Sequence, residues 1–198
     1  MPPNDLEKLA IAKYTSSGLT AAHAKKLKLK VLTGAETQIF SRSFHPVGSM
    51  IIPYFDAKGG QSEFYRIRYL EPLTGFAGIV AKPRRYAQAP GTLNEVYLPP
   101  LLDTDWADVM KDPSQPIYIT EGELKAACGA ARGLPVMGLG GVDVWRSAKR
   151  HLALLPQLEE TNWKERPVAI IFDSDAATNP DVTRAQRQLS KALLERGA

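Results

Sequence analysis

The chain has 198 residues, 44% of them hydrophobic and 23% charged, with a net charge of +4. That is ordinary globular composition, at a length that holds one domain with an extension or two small ones. No run approaches the roughly 20 apolar residues of a bilayer span, a single cysteine makes neither an intrachain disulfide nor a zinc cage, and no basic-then-apolar leader opens the chain, so a cytoplasmic protein without membrane contact is expected.

The charge is unevenly placed. Residues 1–100 carry 13 Lys/Arg against 7 Asp/Glu, and residues 101–198 carry 12 against 14. A basic front that holds a polyanion and an acidic back that holds metal ions would look like this, and so would two halves with separate folding histories.

Asp5 to Tyr14, with Leu6, Leu9, Ala10 and Lys13 at helical spacing, predicts a helix that breaks at Ser16-Ser17-Gly18. Thr20 then caps a second helix through AAHAKKLKL, which completes a helical hairpin. From Met50 the period becomes two: MIIPYFD, a turn in AKGGQS, and EFYRIRYLEP predict a β-hairpin whose Phe64, Arg66 and Arg68 alternate with Tyr65, Ile67 and Tyr69. Lys82, Arg84, Arg85 and Tyr86 follow in a proline-punctuated loop that returns to a short strand around Glu95 to Leu98. Arginines and tyrosines on exposed strands and loops suit phosphate pairing and base stacking, and equally suit a solvated sheet face. LPPLLDTDWADVMKDPSQP, with four prolines, is the expected junction between a basic α+β lobe at 1–112, a nucleic-acid-binding candidate, and an α/β domain at 113–198.

From Pro116 the pattern is strand PIYIT, helix GELKAACGAARG, strand LPVMGLG, helix RSAKRHLALLPQLEE, strand RPVAIIFD, helix DVTRAQRQLSKALLERG. Such alternation predicts an α/β fold with a parallel sheet and flanking helices, its near-continuous apolar strands buried on both faces. Ligands of such sheets bind beyond the carboxyl ends of the strands, where Glu121, Gly140, Gly141 and Asp173 fall.

Asp173 and Asp175, separated by one residue of extended chain, point the same way. The pair suits a divalent cation such as Mg2+, and would serve equally as turn and cap residues before the next helix. Glu121, at the end of a neighbouring strand, brings a third carboxylate toward the same crevice, or simply complements the dipole of the helix it precedes. Gly122 lets the backbone turn tightly into that helix beside a bound phosphate.

TEG at 120–122, GLGGV at 138–142 and FDSD at 172–175 resemble the toprim domain shared by topoisomerases, bacterial primases and certain nucleases. More narrowly, SGL at 17–19, IPYFDAKG with YRIRY at 52–69, VYLPP at 96–100, ITEGELKA, GLGGV, FDSDA, NPDV and LLERGA resemble a toprim-like domain of unknown function found in phage, plasmid and integrative-element replication proteins, beside a primase or helicase. The resemblance covers nearly the whole chain. It implies that Glu121 is the acid/base glutamate and that Asp173 and Asp175, together with Glu121, form the Mg2+ or Mn2+ site; Lys125, where the chain departs from the family, is a further catalytic candidate. Three activities fit: nucleotidyl transfer of the primase kind, hydrolysis of DNA phosphodiesters, and DNA binding or scaffolding without catalysis. The implied partners are single-stranded DNA or replication intermediates, and a helicase or polymerase domain of the same or a partner chain. Bacterial primases carry an aspartate three residues after the glycine where this chain has Lys125. That lysine either meets a phosphate or marks the loss of part of a catalytic set. The family also continues into a further strand beyond LLERGA, so the chain is expected to be a piece of a longer protein.

Overall fold

A computed structural model describes residues 2–71, 73, 85–173 and 179–198. The chain divides into two compact units, one of residues 1–54 and 62–93, the other of residues 55–61 and 94–198.

In the first unit, α1 (Pro3–Ser16) buries Leu6 and Ala10, while Leu9 stays 37% exposed. Helix α2 (Ala21–Lys26) starts from the predicted cap: the Thr20 hydroxyl accepts the His23 N–H at 3.2 Å, and His23 Nδ1 accepts the Thr20 N–H in return. Strand β1 (Lys30–Leu32) and helix α3 (Gly34–Phe40) follow, both beyond what the apolar periodicity indicated. Strands β2 (Ser49–Phe55), β3 (Gln61–Tyr69) and β4 (Tyr86–Ala87) complete a four-stranded sheet of order β1-β2-β3-β4, antiparallel at β1/β2 and β3/β4. The turn between β2 and β3, whose residues 55–61 count with the second unit, is drawn together by Asp56, whose carboxylate accepts the N–H groups of Lys58 and Gly60 at 2.8 and 2.9 Å, an arrangement typical of aspartate turns. Ile67 and Tyr69 join Leu32, Phe44, Ile51 and Ala87 in the core of this unit. Phe64 is buried on the opposite face, where its ring meets Tyr54 edge-on at 4.6 Å.

In the second unit, β5 (Ile117–Glu121) lies at the centre of a parallel sheet of order β6-β5-β7, flanked by β6 (Val136–Leu139) and β7 (Val168–Ile171). Helix α5 (Glu123–Ala130) packs on β5 and β6, and α7 (Pro180–Leu194) buries Val182, Ala185, Leu189 and Leu193, a helical stripe. The α/β fold with an antiparallel sheet before it is the predicted one. Within the proline-rich stretch, Leu98, Trp106, Val109 and Met110 lie in the core of the second unit, and α4 (Trp106–Lys111) forms there.

Three local expectations are corrected. Glu95 to Leu98 makes a single bridge, Tyr97 to Gly138, instead of a strand. The segment from Arg146 to Glu160 is not one helix: a 3-10 turn at Ala148–Arg150 ends at His151 with φ of 55°, and α6 (Pro156–Glu159) restarts at the proline. Pro156 has no N–H to carry a helix through, and it holds Leu155 extended at ψ of 151°. Finally, among the described strands β7 lies at an edge of its sheet and is not buried on both faces, with Ile171 53% exposed. Among the described residues no helix is long and apolar enough to cross a membrane.

Candidate functional site

The sheet register decides what meets at the carboxyl ends of the strands. Glu121 pairs with Leu139 of β6, and Thr120 pairs with Ile171 of β7. The carboxyl end of β5 therefore lies between Gly140-Gly141 on one side and Phe172-Asp173 on the other. Two hydrogen bonds fix these levels: Thr120 Oγ1 donates to the Ile171 carbonyl at 2.7 Å, and the Gly122 N–H donates to the Leu139 carbonyl at 2.7 Å. Gly122 has φ of 93° and ψ of 139° as the N-cap of α5, a conformation that is strained for any side chain. That turn makes Glu121 the last strand residue and starts the helix two residues later.

Lys125 lies one helical turn beyond Glu121 and is exposed, whereas Leu124, Ala126 and Ala127 of the same helix are buried. Its ammonium pairs with the carboxylate of Asp173 across the strand ends, with the two side chains 48% and 53% exposed. Glu121, Lys125, Asp173, Gly122 and the Gly140-Gly141 turn are thus gathered at one end of the sheet. Asp175 lies outside the described residues.

Further groups at this end carried no sequence signal. Glu123, the first residue of α5, is 1% exposed, and with burial as the larger cause its charge pushes the hydroxyl of buried Tyr97 above the ordinary tyrosine range. Arg184 of α7 bridges Asp143, in the loop after β6, and Asp181, both at 3.3 Å. Arg146 donates to Gln188 at 3.0 Å and lies over the Trp145 ring at 4.6 Å. Only the tertiary fold brings that loop and that helix together.

A divalent cation needs oxygen ligands free of competing cations. Among the described residues no three His, Cys, Asp or Glu side chains gather as a metal-holding group, and an ammonium already holds Asp173. Asp173, so paired, and Glu121 are the members of the expected donor set among the described residues.

The first unit holds a second group. Arg66 and Arg68, neighbours on one face of β3, both lie over the Tyr86 ring, at 5.4 and 4.9 Å. Beside them a cavity of about 440 Å3 is lined by Ser43, His45, Arg66, Tyr69, Tyr86 and Gln88, among others. Arg85 is exposed, and its carbonyl accepts the Tyr69 N–H at 2.9 Å. Lys82 and Arg84 lie outside the described residues.

Residues 105–198 match the model of a domain of unknown function, DUF3854. No curated protein matches the sequence. The fold is similar to the solved structure of the DnaG catalytic core, with a TM-score of 0.50 at 12% identity over 95% of this chain and 72% of that one.

Proposed function

We propose that the chain is the nucleic-acid-handling module of a DNA replication protein of the primase or primase-helicase kind, of the sort that mobile elements carry. The observation that carries this reading is the pairing of Lys125 with Asp173 at the carboxyl ends of adjacent parallel strands, where Glu121 is the last residue of β5. The likeness of the fold to the DnaG catalytic core supports it. The strand ends receive a phosphate: Lys125, Arg146 and Arg184 supply the positive charge, and Glu121 is the group placed to take or give a proton. Arg66, Arg68, Arg85 and Tyr86 contact single-stranded DNA, with Lys82 and Arg84 of the preceding sequence adding charge. Nucleotidyl transfer and phosphodiester hydrolysis both belong to this reading, with Mg2+ or Mn2+ on Asp173 and Asp175 in their catalytic form. A second reading, DNA binding without chemistry, is favoured by one specific feature, the ammonium of Lys125 on the carboxylate that would take the ion.

Labelled single-stranded DNA incubated with ribonucleotides, in Mg2+, Mn2+ or EDTA, sorts these readings by product. Extension supports synthesis, shortening supports hydrolysis, and retention of intact DNA supports binding alone. DNA that is neither retained nor altered under any condition ends the proposal.

A further inference from the structure

We propose that Lys125 is the resident cation of the strand-end site. It holds Asp173 in the absence of a divalent ion and thereby sets how weakly such an ion binds. The proposal rests on the reading of the strand ends as the functional site.

Three observations carry it. The first is position: the tight turn at Gly122 begins α5 immediately after Glu121, so the exposed side chain one turn on reaches the neighbouring strand end instead of the core. The second is the pairing itself, between the Lys125 ammonium and the Asp173 carboxylate, groups 48 residues apart in the chain. The third is the sheet register, which pairs Thr120 with Ile171 and so sets the carboxyl ends of β5 and β7 side by side, with Asp173 two residues past the end of β7. A carboxylate at such a strand end is stabilised in its charged form by a nearby cation, and here the chain supplies one of its own. A divalent ion must then displace the ammonium or bind beside a like charge, and either lowers its affinity. The half-exposed pair contributes little to folding stability, so Lys125 can be replaced without loss of the fold.

The test is direct Mn2+ binding to the full chain, by calorimetry and by the loss of free-ion electron paramagnetic resonance signal. Wild type, Lys125→Arg, Lys125→Gln and the double variant Lys125→Gln with Asp173→Asn are compared, each checked for unchanged circular dichroism. Wild type and Lys125→Arg should bind Mn2+ weakly, Lys125→Gln on the order of tenfold more tightly, and the double variant should lose that gain. Equal affinity in wild type and Lys125→Gln, no binding in either, or a gain that survives Asp173→Asn would each overturn the proposal. Retention of single-stranded DNA in EDTA, measured on the same samples, reports separately on the proposed function, because its loss leaves the Mn2+ comparison intact.

Discussion

Arg166 is 2% exposed, and its guanidinium donates to four carbonyls: Asn162 at 2.7 Å, and Gln115, Val109 and Met110 at 3.0 Å each. Two of these carbonyls end α4, whose last turn has no intrahelical donors for them. Burial draws the guanidinium below its ordinary pKa, and the charge of Asp112 partly restores it. Arg166→Met is expected to cost about 3 kcal/mol in urea unfolding, because buried carbonyls lose their donors. Lys at this position should recover only part of the loss, since an ammonium cannot reproduce the planar fork. None of this was legible in RPVAIIFD, where the arginine reads as the flank of a strand, because three of its partners lie 51 to 57 residues earlier. Gly138 is a similar case. It was quoted as part of a motif, and the fold gives it a packing reason: a Cβ there would lie 3.0 Å from Ala126 Cβ and 3.1 Å from Tyr97 Cβ. Gly138→Val should therefore destabilise the protein by about 1–3 kcal/mol in the same assay. Glu121, Asp173 and the glycines between them were visible because a carboxylate or glycine directly after an apolar strand interrupts its pattern. Glu123, Arg146 and Arg184 were not, because each reads as an ordinary polar residue of its own segment.

At the scale of elements, α3 tests how far local chemistry alone supports a short helix. The Thr33 N–H and hydroxyl donate to the Glu36 carboxylate at 2.8 and 2.9 Å, and the Thr33 hydroxyl accepts the Glu36 N–H at 3.3 Å. The bond from the Thr33 backbone, then that from its side chain, holds the Glu36 carboxyl below its ordinary 4.5. A lowered folded-state pKa gives stability that is present above the ordinary value and is lost as pH falls through it toward the folded one. Thr33→Ala is expected to cost about 1 kcal/mol at neutral pH. It should also flatten the acid limb of the Tm-against-pH curve below 4.5, since one of the two bonds that depress Glu36 is gone. An unchanged acid limb would assign that limb to other carboxyls. The signature TGAE was present in the sequence, but seven residues are too few for a hydrophobic period to declare itself. The segment from Arg146 to Glu160 failed in the opposite sense: its apolar spacing indicated one helix, and the left-handed His151 and the proline at 156 divide it. Strands β5 to β7 were legible because each is an uninterrupted apolar run between turn residues. Which of them lies at the centre was not, since strand order is a property of the whole sheet.

At the scale of the molecule, four prolines between residues 99 and 116 suggested a junction, yet the same stretch supplies Trp106, Val109 and Met110 to a core. Proline ends helices and strands, but it does not keep the side chains around it from packing. The uneven charge is a property that composition conveys reliably, because it needs no fold to be counted. Its consequence for binding rests on clustering, and Arg66 and Arg68 over one tyrosine ring are a cluster that composition cannot reveal. Binding of single-stranded DNA should weaken steeply with salt, the logarithm of the affinity falling by about 0.7 per phosphate contact for each logarithmic unit of salt. If both arginines meet phosphates, the double variant Arg66→Glu with Arg68→Glu should bind every sequence more weakly and show a salt slope smaller by about 1.4. Tyr86→Ala should instead lower the affinity with the slope nearly kept, because stacking releases no counterions. Fluorescence anisotropy over a salt series in EDTA reads both quantities at once. A slope unchanged in the arginine double variant would make that face of β3 an ordinary solvated surface and leave DNA binding to the strand ends of the parallel sheet, where Lys125→Gln would then carry the loss.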